Sequence, residues 1–239
     1  MPVENKIAKI SGTTIAKNNM ISDKDKILVA FSGGKDSYCL LDILLRFQKK
    51  APIVFELFAV IIDSKFGQDY SKAELYFKKN KINYLIKKTN ISSVIKNRIK
   101  IKNNTGDYCF LCSRLRRGIL YKVAKEKNCT KIALGHNLDD AGETLLMNLF
   151  YNSSRKIMPP MYTAEDKKNI IIRPLIEVPE KLIIEYAKEK KFKIVKQKCP
   201  LKKSDSKRDE TKKIILNLSE KNNFVYSSLK NAMFGEKLA

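Results

Sequence analysis

Two stretches of the chain, 26–32 (KILVAFS) and 55–63 (FELFAVIID), are apolar at nearly every position and rich in β-branched residues. A strand with one wet face alternates apolar and polar side chains, whereas a strand covered on both faces reads as a continuous apolar run. Such runs constrain the chain to a sheet with helices on each side. Shorter strand-like runs fall at 83–87, 131–135, 170–173 and 192–196. Between them lie helix-forming stretches at 37–48, 71–79, 113–126, 141–151 and 180–190; in the last, Leu182, Ile183, Tyr186 and Ala187 share one face. This alternation predicts an α/β fold, a doubly wound and mostly parallel sheet with helices on both faces. Residues 98–107, 152–166 and 200–209 read as loops. Residues 1–20 read as an N-terminal arm, 21–200 as the body, and 201–239 as a basic tail that is helical from Glu210 onward.

Composition narrows the function classes. The 239 residues hold 48 Lys plus Arg against 25 Asp plus Glu, a net charge of +23. A surplus of that size points toward polyanions such as nucleic acid. A second reading stands beside it: only eight of the 48 are arginine, tryptophan is absent, and Lys, Asn and Ile abound, which is what an A+T-rich genome imposes on any protein. No apolar run is long enough to span a bilayer, and the first residues carry no apolar signal core. The expectation is a cytoplasmic protein with no membrane partner. Its five cysteines are then reduced thiols, for which metal binding or catalysis outranks disulfides.

The sharpest motif is Ser32-Gly33-Gly34-Lys35-Asp36-Ser37, directly after the first apolar run and opening a helix. Glycines let backbone amides turn into one concavity, and the helix behind adds positive potential at its N-terminus. Ser32 and Ser37 add hydroxyl donors, Lys35 a cation, and Asp36 a carboxylate able to hold Mg²⁺ through water. Neither the Walker A spacing nor the GxGxxG dinucleotide fingerprint is present.

Three further groups carry chemistry. Cys109 and Cys112 form a Cys-x-x-Cys, expected in a loop, that suits one soft metal or cluster; a redox dithiol is the competing reading. Arg114, Arg116 and Arg117 follow at once, with guanidinium forks suited to phosphates and bases; a solvated helix start is the competing reading, and their place beside the cysteine pair favours nucleic-acid or nucleotide contact. Beyond the run 131–135 comes GHNLDD, with the sole histidine, His136, and the carboxylates Asp139 and Asp140. These acids suit either a helix cap or Mg²⁺–nucleotide binding. Asp63, at the end of the second run, is open to the same pair of readings.

SGGKDS after a strand resembles the PP-loop of the ATP pyrophosphatase superfamily. CFLCSRLRRG, GHNLDD, the MPP at 158–160 and the IRPL at 172–175 resemble the tRNA 2-thiocytidine synthetase group within it. The resemblance spans about residues 10 to 200. It implies ATP phosphates on Ser32, Gly33, Gly34, Lys35, Asp36 and Ser37, further nucleotide contacts from Asp63 and His136, and catalytic roles for Lys35, Asp36 and Asp140. It implies Mg²⁺ near Asp139 and Asp140, and tRNA contacts from Arg114, Arg116 and Arg117. Three cysteines hold a 4Fe–4S cluster in that group, which implies Cys109, Cys112 and Cys199. The implied reaction adenylates the C2 oxygen of an anticodon-loop cytidine and replaces it with sulfur, supplied by a cysteine desulfurase or free sulfide. A homodimer is implied as well. Only Cys199-Pro200 stands where the group often has a second Cys-x-x-Cys, a feature similar to 2-thiouridine-forming relatives. That product is one alternative, and a non-catalytic, RNA-binding iron–sulfur carrier is the alternative from another class.

Overall fold

The computed structural model describes residues 1–102, 108–196 and 207–235. Within them the strands β1 (Lys26–Ala30), β2 (Glu56–Asp63), β3 (Asn83–Lys88), β4 (Lys131–Ala133), β5 (Met161–Thr163) and β6 (Ile170–Ile172) form one sheet in the order β3-β2-β1-β4-β6-β5. All neighbours run parallel except β5 and β6, which pair antiparallel at one edge. The chain winds outward from β1 through β2 to β3, then returns to place β4 on the other side of β1. A doubly wound sheet opens its ligand crevice at such a reversal, at the carboxyl ends of the strands.

Side chains of a strand alternate between its faces, and both faces are apolar here. Ile27, Val29, Ala59, Ile61, Ala133 and Ile172 enter one core with helices α1 (Val3–Lys17), α2 (Lys35–Lys50), α3 (Ser71–Lys79) and α7 (Glu180–Glu189). Leu28, Val60, Ile62, Ile132 and Ile171 enter the opposite core under α4 (Ile91–Lys102) and α5 (Tyr108–Glu126). A third, smaller cluster joins α6 (Leu138–Tyr151) to α8 (Lys207–Lys221) and α9 (Val225–Phe234). There Met233 lies against Leu138, Ala141 and Ile176. Gly142 leaves room for Ile215, which a Cβ would meet at 3.3 Å.

Helix α1 occupies most of the first 20 residues and buries Val3, Ile7 and Ala8 in the first core. Four local expectations are corrected. Residues 192–196 are not a strand: Phe192 stacks on Tyr38 with ring centres 5.0 Å apart, and the Val195 N–H donates to Gly33 O at 2.9 Å, so the segment lies along the glycine loop instead of the sheet. Residues 152–166, expected as a loop, contain β5. Residues 98–102 belong to α4. The Cys109–Cys112 pair lies in the first turn of α5 and not in a loop, because α5 begins at Tyr108, five residues earlier than the apolar pattern implies.

Candidate active site

Ser32, Gly33 and Gly34 form the turn between β1 and α2. Gly33 has φ 82°, and a Cβ there would meet Val195 Cγ2 at 2.5 Å, so the position requires glycine on two counts. Both glycine carbonyls are committed: Gly33 O accepts from the Val195 N–H, while Gly34 O accepts from Ser37 Oγ at 2.8 Å and the Tyr38 N–H at 3.2 Å. With its acceptors turned away, the loop leaves the first amides of α2, which have no intrahelical partner, as the groups that meet a ligand. Such a turn can seat an anion.

The turn after β4 is pressed against this seat. A Cβ on Gly135 would approach the Asp36 backbone to 3.2 Å. Asn137 caps α6, taking the Asp140 N–H on its side chain while Asp140 returns a carboxylate to the Asn137 N–H, and Asn137 Nδ2 also donates to Asp36 Oδ1 at 3.0 Å. Asp36 and Asp140 are thereby held on either side of one amide. Arg208, from α8, donates to Asp140 and to Glu143 at 2.6 Å each.

A cavity of about 520 Å³ opens at the carboxyl ends of β1, β2, β4 and β6. Ser32, Asp36, Ser37, His136 and Asp140 line one side. Arg116, Arg117 and Tyr121 reach in from α5, and Arg173 and Tyr162 from the β5–β6 edge, over an apolar floor that includes Val60, Ile62 and Leu134. A small cavity of about 60 Å³ shares Ser32, Ile62 and Arg116 with the large one and adds Ser64 and Cys112. The glycine loop and the cysteine helix are therefore neighbours.

The structure brings together Ser32, Asp36, Ser37, His136, Asp140, Arg116, Arg117 and, next door, Cys112. Other expected residues stand outside the cavity. Lys35 turns to the far side, where its ammonium meets Glu180 at 2.7 Å and Asp36 at 3.0 Å. Burial works against that charge, but the two carboxylates more than offset it and hold its pKa above the usual lysine value. Asp139 is buried with both oxygens engaged, by the Tyr226 O–H at 2.7 Å and the Glu180 N–H at 2.6 Å, and burial raises its pKa. Asp63 closes a turn on the Lys65 N–H at 2.8 Å. Arg114 is exposed, as is Cys109. Cys199 lies outside the described residues. Cys109 and Cys112 are one helical turn apart, a donor set that fits a group bound by thiolates. Asp36 and Asp140 share one wall of the cavity and keep lone pairs for a hard cation such as Mg²⁺, which takes one or two carboxylates together with substrate phosphates, although both Asp140 oxygens already accept, one from the Asn137 N–H and one from Arg208.

Sequence reasoning missed Arg173, Tyr121, Tyr162, Asn137 and Arg208 as site residues. Two signals were available: the Asn137–Asp140 spacing of a capping box and the IRPL segment, in which an arginine closes an apolar strand.

Fold and site define a class: a doubly wound α/β nucleotide-binding protein with a glycine-loop anion seat at the reversal of its sheet. The PP-loop domain family matches residues 3–208. The tRNA-cytidine(32) 2-sulfurtransferase 1 of Francisella tularensis subsp. tularensis (strain SCHU S4 / Schu 4) is 47% identical over 194 residues, covering 81% of this chain and 72% of the relative. The tRNA-cytidine(32) 2-sulfurtransferase of Delftia acidovorans is 45% identical over 195 residues, 81% of this chain and 61% of the relative. Among solved structures, the U34-tRNA thiolase NcsA from Methanococcus maripaludis with its 4Fe–4S cluster superposes with a TM-score of 0.77 at 24% identity. The match covers 95% of this chain and 77% of that one, and it shows a shared fold. The chain belongs to the PP-loop domain family, in the group of the tRNA-cytidine 2-sulfurtransferases.

Proposed function

We propose that this chain is an ATP-dependent tRNA sulfurtransferase that converts cytidine 32 in the anticodon loop to 2-thiocytidine. The observation that carries the reading is the sharing of Ser32 and Arg116 between the phosphate cavity and the cavity lined by Cys112. Activation by ATP and delivery of sulfur then occur at adjoining positions.

ATP lies with its phosphates on the amides of α2, that of Ser37 among them, and on the hydroxyl of Ser32. Arg116, Arg117 and Arg173 face the phosphates and the incoming anticodon loop. The C2 oxygen of cytosine forms a bond to the α-phosphorus as the bond to the β-phosphate oxygen breaks, and pyrophosphate leaves with that electron pair. Fixed donors aimed at the developing charge lower this barrier. Adenylation is needed because a ring-carbonyl oxygen is a poor leaving group until it is phosphorylated; sulfur then takes its place at C2 and AMP departs. The target base must be unstacked to reach the cavity, as an anticodon-loop base can be.

Asp36 and Asp140 are the residues to hold Mg²⁺, whose contribution is to neutralise phosphate charge. Cys109 and Cys112, with Cys199 as third ligand, are the residues to hold a 4Fe–4S cluster, which supplies a site for sulfur. The sulfur originates from a cysteine desulfurase or free sulfide, and the protein works in the cytoplasm as a homodimer. Among the described residues no helix is long and apolar enough to cross a membrane.

The test is mass spectrometry of thionucleosides in bulk tRNA from cells with and without the gene. Selective loss of 2-thiocytidine is expected. Loss of a thiouridine instead would keep the chemistry and change the base, and no change in any thionucleoside would overturn the reading.

A further inference from the structure

Arg173 is buried, 7% exposed, and among the described residues no carboxylate pairs with it. Its Nη1 donates to Pro159 O at 2.6 Å, its backbone N–H to Pro160 O at 2.9 Å, and its guanidinium lies over the Tyr162 ring at 5.0 Å from the centroid. Its Nε–H is aimed at His136 Nδ1, 3.1 Å away. Arginine offers only donors and keeps its proton in proteins. Nδ1 must therefore be the accepting nitrogen, and the imidazole carries its hydrogen on Nε2. The ring lines the cavity beside the Gly135–Asp36 contact, and Nε2–H has no protein partner among the described residues.

We propose that Arg173 is a positioning residue for adenylation, fixing His136 in its neutral Nε2–H form so that the ring donates a hydrogen bond to a phosphate oxygen of ATP and does not act as a base. The inference rests on the reading of the cavity as the ATP site. It assigns a role to the sole histidine and leaves the uncancelled charge of Arg173 to attract phosphate. The charged groups that bear on the ring are Arg173 from the end of β6, Arg208 from α8 and Asp36 from α2. Burial first, then the two arginines, lower the histidine pKa to about 3, while Asp36 works the other way. Together with the accepting role of Nδ1 toward Arg173, this favours the neutral ring. The chemistry requires no base in this step. Attack by the cytosine C2 oxygen uses a lone pair, the positive charge passes into the ring and its amino group, and no proton changes hands as pyrophosphate leaves.

Because His136 is the only histidine, ¹⁵N NMR of the untagged, cluster-free protein reads it without assignment. The expected spectrum shows hydrogen on Nε2, no titration between about pH 5 and 8, where an unperturbed histidine changes charge, and a shift of the Nε2 resonance on addition of ATP. In Arg173→Met the tautomers should mix and the titration should move up toward the ordinary histidine range; Arg173→Lys, which keeps the charge, guards against misfolding and should also lose the single tautomer. Activity gives a second readout. A glutamine amide can place a donor near the Nε2 position and an asparagine amide near Nδ1, so tRNA-dependent pyrophosphate release should fall ~10²-fold or more in His136→Asn and at least ~10-fold less than that in His136→Gln. Equal losses in both variants, as expected for a base, would overturn the proposal. So would hydrogen on Nδ1, or an unchanged spectrum in Arg173→Met. The NMR and ATP titrations use no tRNA, so a failed thiolation assay leaves them standing, and an Nδ1–H signal sinks the assignment even where 2-thiocytidine is confirmed.

Discussion

On one face of the sheet, α1, α2, α3 and α7 build an apolar core in which Ile7, Tyr38, Leu41, Phe77 and Tyr186 are each 1% exposed or less. The rings of Phe31, Tyr38 and Phe77 meet edge to face at 4.7 and 4.9 Å. On the other face α4 and α5 cover the same strands, yet α5 turns Arg116, Arg117 and Tyr121 toward them and a cavity of about 520 Å³ remains. The strands are equally apolar on both sides, so the difference is set by the helices. One face stabilises the fold and orients the glycine loop through α2. The other gives up packing to hold polar groups over the strand ends, where the proposed binding and chemistry are placed. Arg173 belongs to this second face as a buried cation with no carboxylate partner among the described residues.

The comparison breaks most readily at its ends. Leu41→Ala, deep in the apolar face, should lower unfolding stability by ~2–5 kcal/mol, measured by urea titration, and leave the ATP affinity of the folded fraction unchanged. An accompanying tenfold loss of ATP affinity would mean that the two faces are not separable. Gly33→Ala sits at their junction. The left-handed backbone and the 2.5 Å approach of Val195 should cost ~1–3 kcal/mol and weaken ATP binding by calorimetry as well; intact binding would show that the loop does not form the anion seat. The double change Arg116→Ala with Arg117→Ala tests the opposite extreme. Stability should move by no more than ~0.5 kcal/mol, while the slope of log tRNA affinity against log salt should flatten by ~1.5 if each arginine meets one phosphate. An unchanged slope would return the basic surface to genomic composition.

How far each element was legible depends on how local its cause is. The strands at 26–30 and 56–63 could be read directly because burial on both faces leaves a continuous apolar run. Met161–Thr163 could not, since three residues after a Pro-Pro pair become a strand only when Ile170–Ile172 is there to accept them. Residues 192–196 carry a strand-like pattern, but their backbone and Phe192 find partners on Gly33 and Tyr38, over 150 positions earlier. The cysteine pair read as a loop because it directly follows the basic stretch 98–107 with its Gly106, although YCFLC at 108–112 is itself apolar.

The site divides in the same way. The glycine loop, the Asn137–Asp140 cap and the cysteine spacing are short-range features, dictated by backbone sterics, helix ends and the reach of neighbouring side chains, and the chain alone determines them. Which carboxylate faces the cavity is another matter. Asp139 and Asp140 are adjacent in sequence, and only the approach of Tyr226 and Glu180 on one side and of Arg208 on the other separates a buried structural acid from one on the cavity wall. The same holds for Lys35, drawn off by Glu180, and for Arg173, joined to His136 across 37 positions. Side-chain direction and charge compensation depend on what the fold sets beside each group, and that is a property of the packed chain, not of any segment of it.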